Sequence, residues 1–201
     1  MKTKKLLILF TRNPELGKVK SRLAKDIGDI NALAVYKELL QQTHKVSKDA
    51  TADKWVYYSE QIEENDLWAT SVYEKKIQKG ETLGDKMANA FKEGFAAGYK
   101  KICVIGSDIY DLQEKHIELA FEQLSSCDTV LGPAEDGGYY LLGMNTFIKP
   151  VFENKNWGTE TVLKDTVLDL EEKYSICFLE TLNDIDVISD IKPDSSLATY
   201  I

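Results

Sequence analysis

Acidic residues follow two apolar segments of the sequence, each at a point where the chain has to turn. Residues 101–106 read Lys-Ile-Cys-Val-Ile-Gly, a pattern typical of a buried strand, and Ser107 and Asp108 follow at once. A second apolar segment, at 129–132, leads into a turn that carries Asp136. Open α/β sheets bind ligands at the carboxyl ends of their strands. Two acidic loops at such positions predict a divalent cation that holds a phosphorylated ligand.

Asp108 is the main candidate for holding that cation, which we expect to be Mg²⁺ or Mn²⁺. Both ions prefer oxygen ligands, and Mg²⁺ often takes only one or two carboxylates, with phosphate and water completing its shell. The alternative for Asp108 is an Asp that only initiates a turn. Asp111 is either a second ligand or a cap of the next helix, and we favour the cap.

The segment after the first predicted strand concentrates positive charge in an acidic protein. Its cations are Arg12, Lys18, Lys20 and Arg22, and Gly17 allows a tight turn among them. An arginine can bind phosphate oxygens with two N–H groups, and lysines supply point charge. Free N–H groups at the start of the following helix can face the same anion. The segment predicts a phosphate-binding loop, with a solvated basic turn as the alternative; it is neither a Walker A motif nor a Gly-x-Gly-x-x-Gly fingerprint.

Two further clusters of residues suggest ligand contacts. In the segment 135–140, Glu-Asp-Gly-Gly-Tyr-Tyr, the glycines permit close backbone approach and the aromatic residues can line a sugar or acceptor pocket. A plain Asp-Gly hairpin turn explains the glycines equally well. Near the C-terminus, Asp184 and Asp186 follow a predicted strand. These two acids either help to close the metal site or cap a final turn.

Strands alternate with helices along the sequence. Helices are predicted at 29–50, with Asp29 as the N-cap, and at 82–97, 114–125 and 156–170. This alternation predicts a single-domain, three-layer α/β/α fold over residues 1–201, with a mostly parallel sheet covered on both faces. Residues 5–10 and 101–106 should be adjacent central strands. The predicted strands lie at 5–10, 54–58, 101–106, 128–132, 139–142 and 175–179.

Composition restricts the class of partner. The net charge is −8 and the pI is about 4.9, which argues against a nucleic-acid polymer or an anionic membrane surface as the main partner. No apolar run approaches the roughly 18 residues of a membrane span. The N-terminal apolar run is read as a strand rather than a signal peptide. Three widely separated cysteines, Cys103, Cys127 and Cys177, predict reduced thiols and a cytoplasmic protein.

Several segments of the sequence resemble a bacterial family of glycosyltransferase-A-like proteins, called radical-SAM/selenodomain-associated transferase 1. The most specific is Gly-Pro-Ala-x-Asp-Gly-Gly-Tyr-Tyr at 132–140. Three positions depart from the family pattern: Tyr110 replaces a usual Pro, Thr82 a usual acid, and Lys86 a usual Arg. The other matching segments are residues 14–23, 83–87, 106–108 and 157–159.

The resemblance implies a fold of the nucleotide-diphospho-sugar transferase type, related to molybdenum-cofactor and phospholactate nucleotidyltransferases. It suggests a metal-dependent enzyme that moves a glycosyl group from a nucleoside-diphosphate sugar to an unknown acceptor. The alternatives are a nucleotidyltransferase that uses a nucleoside triphosphate and a phosphorylated metabolite, and a catalytically weak nucleotide-binding protein. An exposed edge strand can support a homodimer.

Each candidate residue takes a role in this interpretation. Asp108 and Asp136 are the predicted catalytic residues, with Asp108 as metal ligand and Asp184 or Asp186 as a further ligand. The residues expected to bind nucleotide or phosphate are Arg12, Gly17, Lys18, Lys20 and Arg22. Those expected to line a substrate or acceptor pocket are Gly137, Gly138, Tyr139, Trp157 and Thr159.

Overall fold

Seven strands form one mostly parallel sheet in the computed structural model, which describes residues 4–201. The strands are β1 (Lys5–Thr11), β2 (Asp53–Tyr58), β3 (Tyr73–Ile77), β4 (Lys101–Ile105), β5 (Thr129–Pro133), β6 (Tyr139–Met144) and β7 (Ile176–Phe178). Their order across the sheet is β3-β2-β1-β4-β6-β5-β7, and β6 runs antiparallel to both of its neighbours. The predicted fold class is confirmed, and β1 and β4 are adjacent in the interior of the sheet, as predicted.

Helices cover both faces of this sheet. They are α1 (Ser21–Ser47), α2 (Leu83–Ala96), α3 (Glu114–Gln123) and α4 (Val162–Leu170), with short 3₁₀ helices at Lys149–Phe152, Ile188–Asp190 and Ser196–Tyr200. Along β1, Leu7 and Leu9 pack into a core shared with α1 and α3, whereas Leu6 and Ile8 pack into a core shared with α2 and α4. This alternation fits a central strand that is buried on both sides. Within residues 4–201, no helix has the length and apolar character that a bilayer crossing requires.

The sequence did not predict β3, which forms one edge of the sheet. Its middle residues are Glu74, Lys75 and Lys76, so it lacks the apolar run that marks the central strands. The Lys75 ammonium pairs with Asp66 at 2.8 Å, and that of Lys76 pairs with Glu93 at 2.9 Å. Charged residues are a common feature of edge strands because they discourage pairing with other chains.

One predicted helix start is wrong, and another coincides with a break inside a longer helix. Helix α1 begins at Ser21, but Gly28 interrupts it with φ 80° and ψ 159°, so its second part begins after Gly28, at the predicted start. The short helical part before Gly28 lies outside the prediction. Helix α4 begins at Val162 because residues 157–161 form turns. By contrast, Thr82 caps α2 through a reciprocal pair of hydrogen bonds with Asp85. Thr82, which replaces the acid usual in the family pattern, therefore has a structural role.

Cys127 and Cys177 form a disulfide, so the predicted reduced state is wrong for this pair. Their Cα atoms lie 6.0 Å apart, within the usual range for a disulfide. Cys177 belongs to β7, and Cys127 lies just before its parallel neighbour β5. The pairing escaped prediction because the two residues are 50 positions apart in sequence. Cys103 remains a free, buried thiol.

Candidate functional site

The carboxyl ends of β1 and β4 bring the basic loop to Asp108. The two strands are parallel neighbours, so the segments that follow them emerge at the same edge of the sheet. The Lys20 ammonium forms an ion pair with the Asp108 carboxylate. The Lys20 side chain is only 7% exposed, whereas that of Asp108 is 51% exposed. The structure therefore joins the two loops that the sequence singled out separately, and it leaves the Asp108 carboxylate open to solvent.

The C-terminal acidic segment lies beside Asp108. The Ile185 N–H donates to the Asp108 carbonyl oxygen at 3.0 Å, and Asp184 forms a β-bridge with Ile109. Burial, and after it the negative charge of Asp136, raise the pKa of Asp184 to about 6. An Asp normally titrates near pH 4, so this environment disfavours the charged form of the Asp184 carboxyl.

The donor set at this site fits a divalent cation that arrives with its ligand. The carboxylates of Asp108 and Asp184 offer hard oxygen ligands, as Mg²⁺ and Mn²⁺ prefer. Across residues 4–201, no three His, Cys, Asp or Glu side chains gather closely enough to hold a metal ion by themselves. One or two carboxylates with phosphate and water suffice for Mg²⁺. Burial and the charge of Asp136 raise the pKa of Asp184, so a cation nearby would favour its ionised form.

The remaining cations of the basic loop have different partners. Lys18 pairs with Glu15 at 2.8 Å and Glu60 at 3.2 Å, and its hydrogen bonds to these two carboxylates raise its pKa. Arg22 pairs with Asp186, which neutralises that acid and leaves Asp184 as the better candidate ligand. Within the described part of the chain, Arg12 forms no ion pair, and its exposed side chain borders a cavity of about 300 Å³. Gly17 turns the loop with φ 75°.

Asp136 lies at an exposed turn between β5 and β6. Its Oδ1 accepts the Gly138 N–H at 2.8 Å, which leaves Oδ2 available to a ligand. Gly137 has φ 86°, and a side chain there would clash with the backbone of Glu160. The Leu163 N–H donates to the Gly137 carbonyl oxygen at 2.9 Å. The glycines therefore allow a tight turn between two antiparallel strands, as the alternative of an Asp-Gly hairpin predicts. This turn also packs against the segment that precedes α4.

The predicted aromatic pocket residues meet on the α2 face of the sheet. The ring of Tyr139 contacts that of Trp157 edge-on, with centroids 6.5 Å apart. Gly84 passes so close to Trp157 that an added Cβ would lie 2.8 Å from the indole nitrogen. Among residues 4–201, the buried Tyr139 hydroxyl has no hydrogen-bond partner. Thr159 donates to the carbonyl oxygen of Asn156 at 2.8 Å and so stabilises the turn that carries Trp157.

Sequence reasoning missed residues that hold the loops in place. Asn13 is 4% exposed, and its Oδ1 accepts the Glu60 N–H at 3.1 Å, which fixes the segment after β1 to the segment after β2. In the sequence, Asn13 directly precedes Pro14 and follows a strand, and an Asn-Pro pair at such a position indicates a turn. The predicted cap at Asp111 is wrong, because Asp111 pairs with Lys192 and α3 begins after Gln113.

A family model described as "Uncharacterized protein conserved in bacteria (DUF2064)" matches residues 41–159 of the chain, more than half of its length. The chain belongs to the DUF2064 family. No curated protein matches this DUF2064 chain.

Solved structures similar to this DUF2064 chain share its architecture. A protein of Desulfovibrio desulfuricans G20, provisionally assigned as a nucleotide-diphospho-sugar transferase, is 26% identical with a TM-score of 0.86, over 98% of this chain and 94% of that one. CMP:2-keto-3-deoxy-manno-octonic acid synthetase, complexed with CTP, is 10% identical with a TM-score of 0.56, over 93% and 95% of the two chains. 4-Diphosphocytidyl-2C-methyl-D-erythritol synthase is 11% identical with a TM-score of 0.55, over 100% of this chain and 96% of that one. The fold is therefore that of the glycosyltransferase-A-like, nucleotide-diphospho-sugar transferase superfamily, as the resemblance implied.

Proposed function

We propose that this chain is a nucleotide-using transferase that moves a glycosyl group from a nucleoside-diphosphate sugar to an acceptor, with Mg²⁺ or Mn²⁺ as cofactor. The observation that carries the proposal is the meeting of the basic loop with Asp108 at the carboxyl ends of β1 and β4. Ligands bind at this edge in open α/β sheets. The likeness to the Desulfovibrio protein, over nearly the whole of both chains, favours a sugar nucleotide as donor.

The charges of the site suit a diphosphate and a cation together. Asp108 and Asp184 would hold the divalent cation, which neutralises negative charge on the leaving diphosphate. Lys20 lies against Asp108, so its ammonium is placed to pair with a phosphate oxygen once the carboxylate binds the cation. Arg22 extends into solvent, with its side chain 64% exposed, and can bind a second phosphate oxygen. These residues neutralise the negative charge that develops on the diphosphate as its bond to the sugar breaks.

In the proposed reaction, the turn that carries Asp136 contacts the acceptor. In transfer, the bond between the anomeric carbon and the diphosphate oxygen breaks, and its electron pair leaves with the diphosphate. The acceptor oxygen forms the new bond and gives up its proton to a base. Asp136 has one carboxylate oxygen outside the turn's own hydrogen bond and is our candidate for that base.

A second candidate function uses the same site for nucleotidyl transfer. In that reaction a phosphorylated metabolite attacks the α-phosphorus of a nucleoside triphosphate, and pyrophosphate leaves. The similarity in fold to a synthetase determined with CTP favours keeping this alternative. We rank it second, because a single carboxylate that directly follows a central strand, Asp108, beside a short basic loop suits a diphosphate with one cation.

Product analysis tests the proposal. The purified chain is incubated with Mn²⁺ and each common sugar nucleotide, and separately with each nucleoside triphosphate and a set of sugar phosphates. We expect slow release of nucleoside diphosphate from a sugar nucleotide, because water can replace a missing acceptor. Asp108→Asn should abolish the release, and Asp111→Asn is the matched control. Pyrophosphate from a triphosphate, with no diphosphate from any sugar nucleotide, would reverse the ranking. Neither product, with nucleotide binding retained, would indicate a binding protein.

A further inference from the structure

The hydroxyl of Tyr36 forms three hydrogen bonds inside the protein, directly beneath the candidate site. Tyr36 belongs to α1 and is 1% exposed. Its Oη accepts the Arg12 N–H at 2.8 Å and donates to the Arg12 carbonyl oxygen at 3.2 Å. Its third partner is the Ser107 hydroxyl at 3.1 Å. A phenol has one proton and two acceptor positions, so Ser107 must be the donor in this arrangement, and the bonding capacity of Oη is then fully used.

These bonds join the two loops that the proposed function requires. Arg12 is the first residue of the basic loop, immediately after β1, and Ser107 directly precedes Asp108. The second link between the loops, the ion pair of Lys20 with Asp108, involves a carboxylate that is half exposed. Burial raises the pKa of Tyr36 well above its ordinary value, and the charge of Asp108 raises it further. The hydroxyl therefore stays protonated and neutral at any physiological pH.

We infer that Tyr36 is a positioning residue that sets the distance between the phosphate-binding loop and the metal-binding carboxylate. The inference rests on the proposed function. A metal-bound diphosphate has to contact both loops at once, so its affinity depends on their relative placement. A nucleoside without phosphates does not bridge the two loops. Loss of the hydroxyl should therefore weaken binding of the diphosphate much more than binding of the nucleoside.

Tyr36→Phe and the control Tyr73→Phe separate this role from a general loss of packing. Tyr73 is 2% exposed in the same core, and its hydroxyl bonds the Ser47 hydroxyl at 2.9 Å. The control therefore removes a buried tyrosine–serine hydrogen bond to the same helix, α1, but at its far end. Both variants keep the ring and hence most of the apolar packing.

Calorimetry would measure affinities for ADP, CDP, GDP and UDP with Mn²⁺, and for the matching nucleosides. For the diphosphate that the wild type binds best, Tyr36→Phe should raise the dissociation constant about tenfold, the change that a lost hydrogen bond of about 1.4 kcal/mol produces. The nucleoside constant should change less than about twofold, and Tyr73→Phe should change neither value. If Tyr36→Phe fails to fold, Ser107→Ala removes one arm of the same network and should show the same selectivity with a smaller effect.

Amide hydrogen exchange gives a second readout that needs no nucleotide. The Arg12 N–H should exchange faster in Tyr36→Phe than in the wild type, with no change in Tyr73→Phe. Equal losses of diphosphate and nucleoside affinity, or diphosphate affinity no lower than in Tyr73→Phe, would overturn the inference and leave the proposed function standing. A wild type that binds none of the diphosphates would overturn both, which distinguishes the two failures.

Discussion

Asp184 should make the protein less stable at neutral pH than at pH 4, because the folded site disfavours its charged form. Burial and the charge of Asp136 raise the pKa of Asp184 from 3.8 to about 6. Between these values the Asp184 carboxyl binds more protons in the native state than in the unfolded state, so its contribution to the free energy of unfolding falls as the pH rises from about 4 to about 6. The difference between the two pKa values corresponds to about 3 kcal/mol. Asp184 is only about half buried, and solvent screening reduces the expected effect to about 1–2 kcal/mol.

Asp184→Asn removes this penalty while it preserves the size of the side chain. Urea unfolding at pH 4.0 and pH 7.5 would measure the free energy of unfolding of variant and wild type. We expect the variant to match the wild type at pH 4.0 and to exceed it by about 1–2 kcal/mol at pH 7.5. Asp111→Asn is the control, because Asp111 is a partly exposed acid paired with Lys192, and its removal should give no such gain. An Asp184→Asn variant that is less stable than the wild type at pH 7.5 would show that the folded site does not disfavour the Asp184 charge.

Three further predictions test other parts of the structure. Asp108→Asn should lose Mn²⁺-dependent binding of nucleoside diphosphate, as measured by calorimetry, while it keeps the cooperative thermal unfolding of a folded protein. An unchanged Mn²⁺-dependent affinity would show that Asp108 is not a metal ligand. Arg22→Ala should weaken diphosphate binding by about 1.5–3 kcal/mol, the scale of a charged hydrogen bond, but should spare the nucleoside; equal loss for both ligands would mean that Arg22 supports the fold. The disulfide between Cys127 and Cys177 closes a loop of about 50 residues, and its reduction should lower the free energy of unfolding by about 4 kcal/mol. Urea unfolding with and without reductant would measure this change, with Cys127→Ser as the reference for the reduced state, and identical midpoints would contradict the prediction.

The central strands could be predicted from the sequence because their apolar runs are continuous. Residues 101–105 and 5–11 carry such runs, and a strand buried on both faces needs them. Strand β3 carries charges at its middle positions, so its pairing with β2 depends on tertiary contacts that no local pattern reveals. The disulfide was hidden for the same reason, since its partners are brought together only by the neighbouring strands β5 and β7.

The candidate site was predictable in its residue types but not in its pairings. Asp108 and the basic loop stood out because a turn after a strand and a cluster of cations are local features. That Lys20 lies against Asp108 while Lys18 lies against Glu60 depends on how loops from different strands pack. Tyr36 lies within an ordinary apolar helix pattern, and no local feature indicates that its hydroxyl joins two loops of the site.

Anomalous diffraction can locate the cation and the diphosphate at the candidate site in a single experiment. Crystals of the wild type would be grown with Mn²⁺ and the nucleoside diphosphate that the protein binds best, and data would be collected at a wavelength where manganese scatters anomalously. We expect one manganese peak within coordination distance of the Asp108 carboxylate and of the diphosphate, with Lys20 turned from Asp108 toward a phosphate oxygen. A diphosphate bound elsewhere on the protein, or bound near Lys20 with no manganese at Asp108, would contradict it.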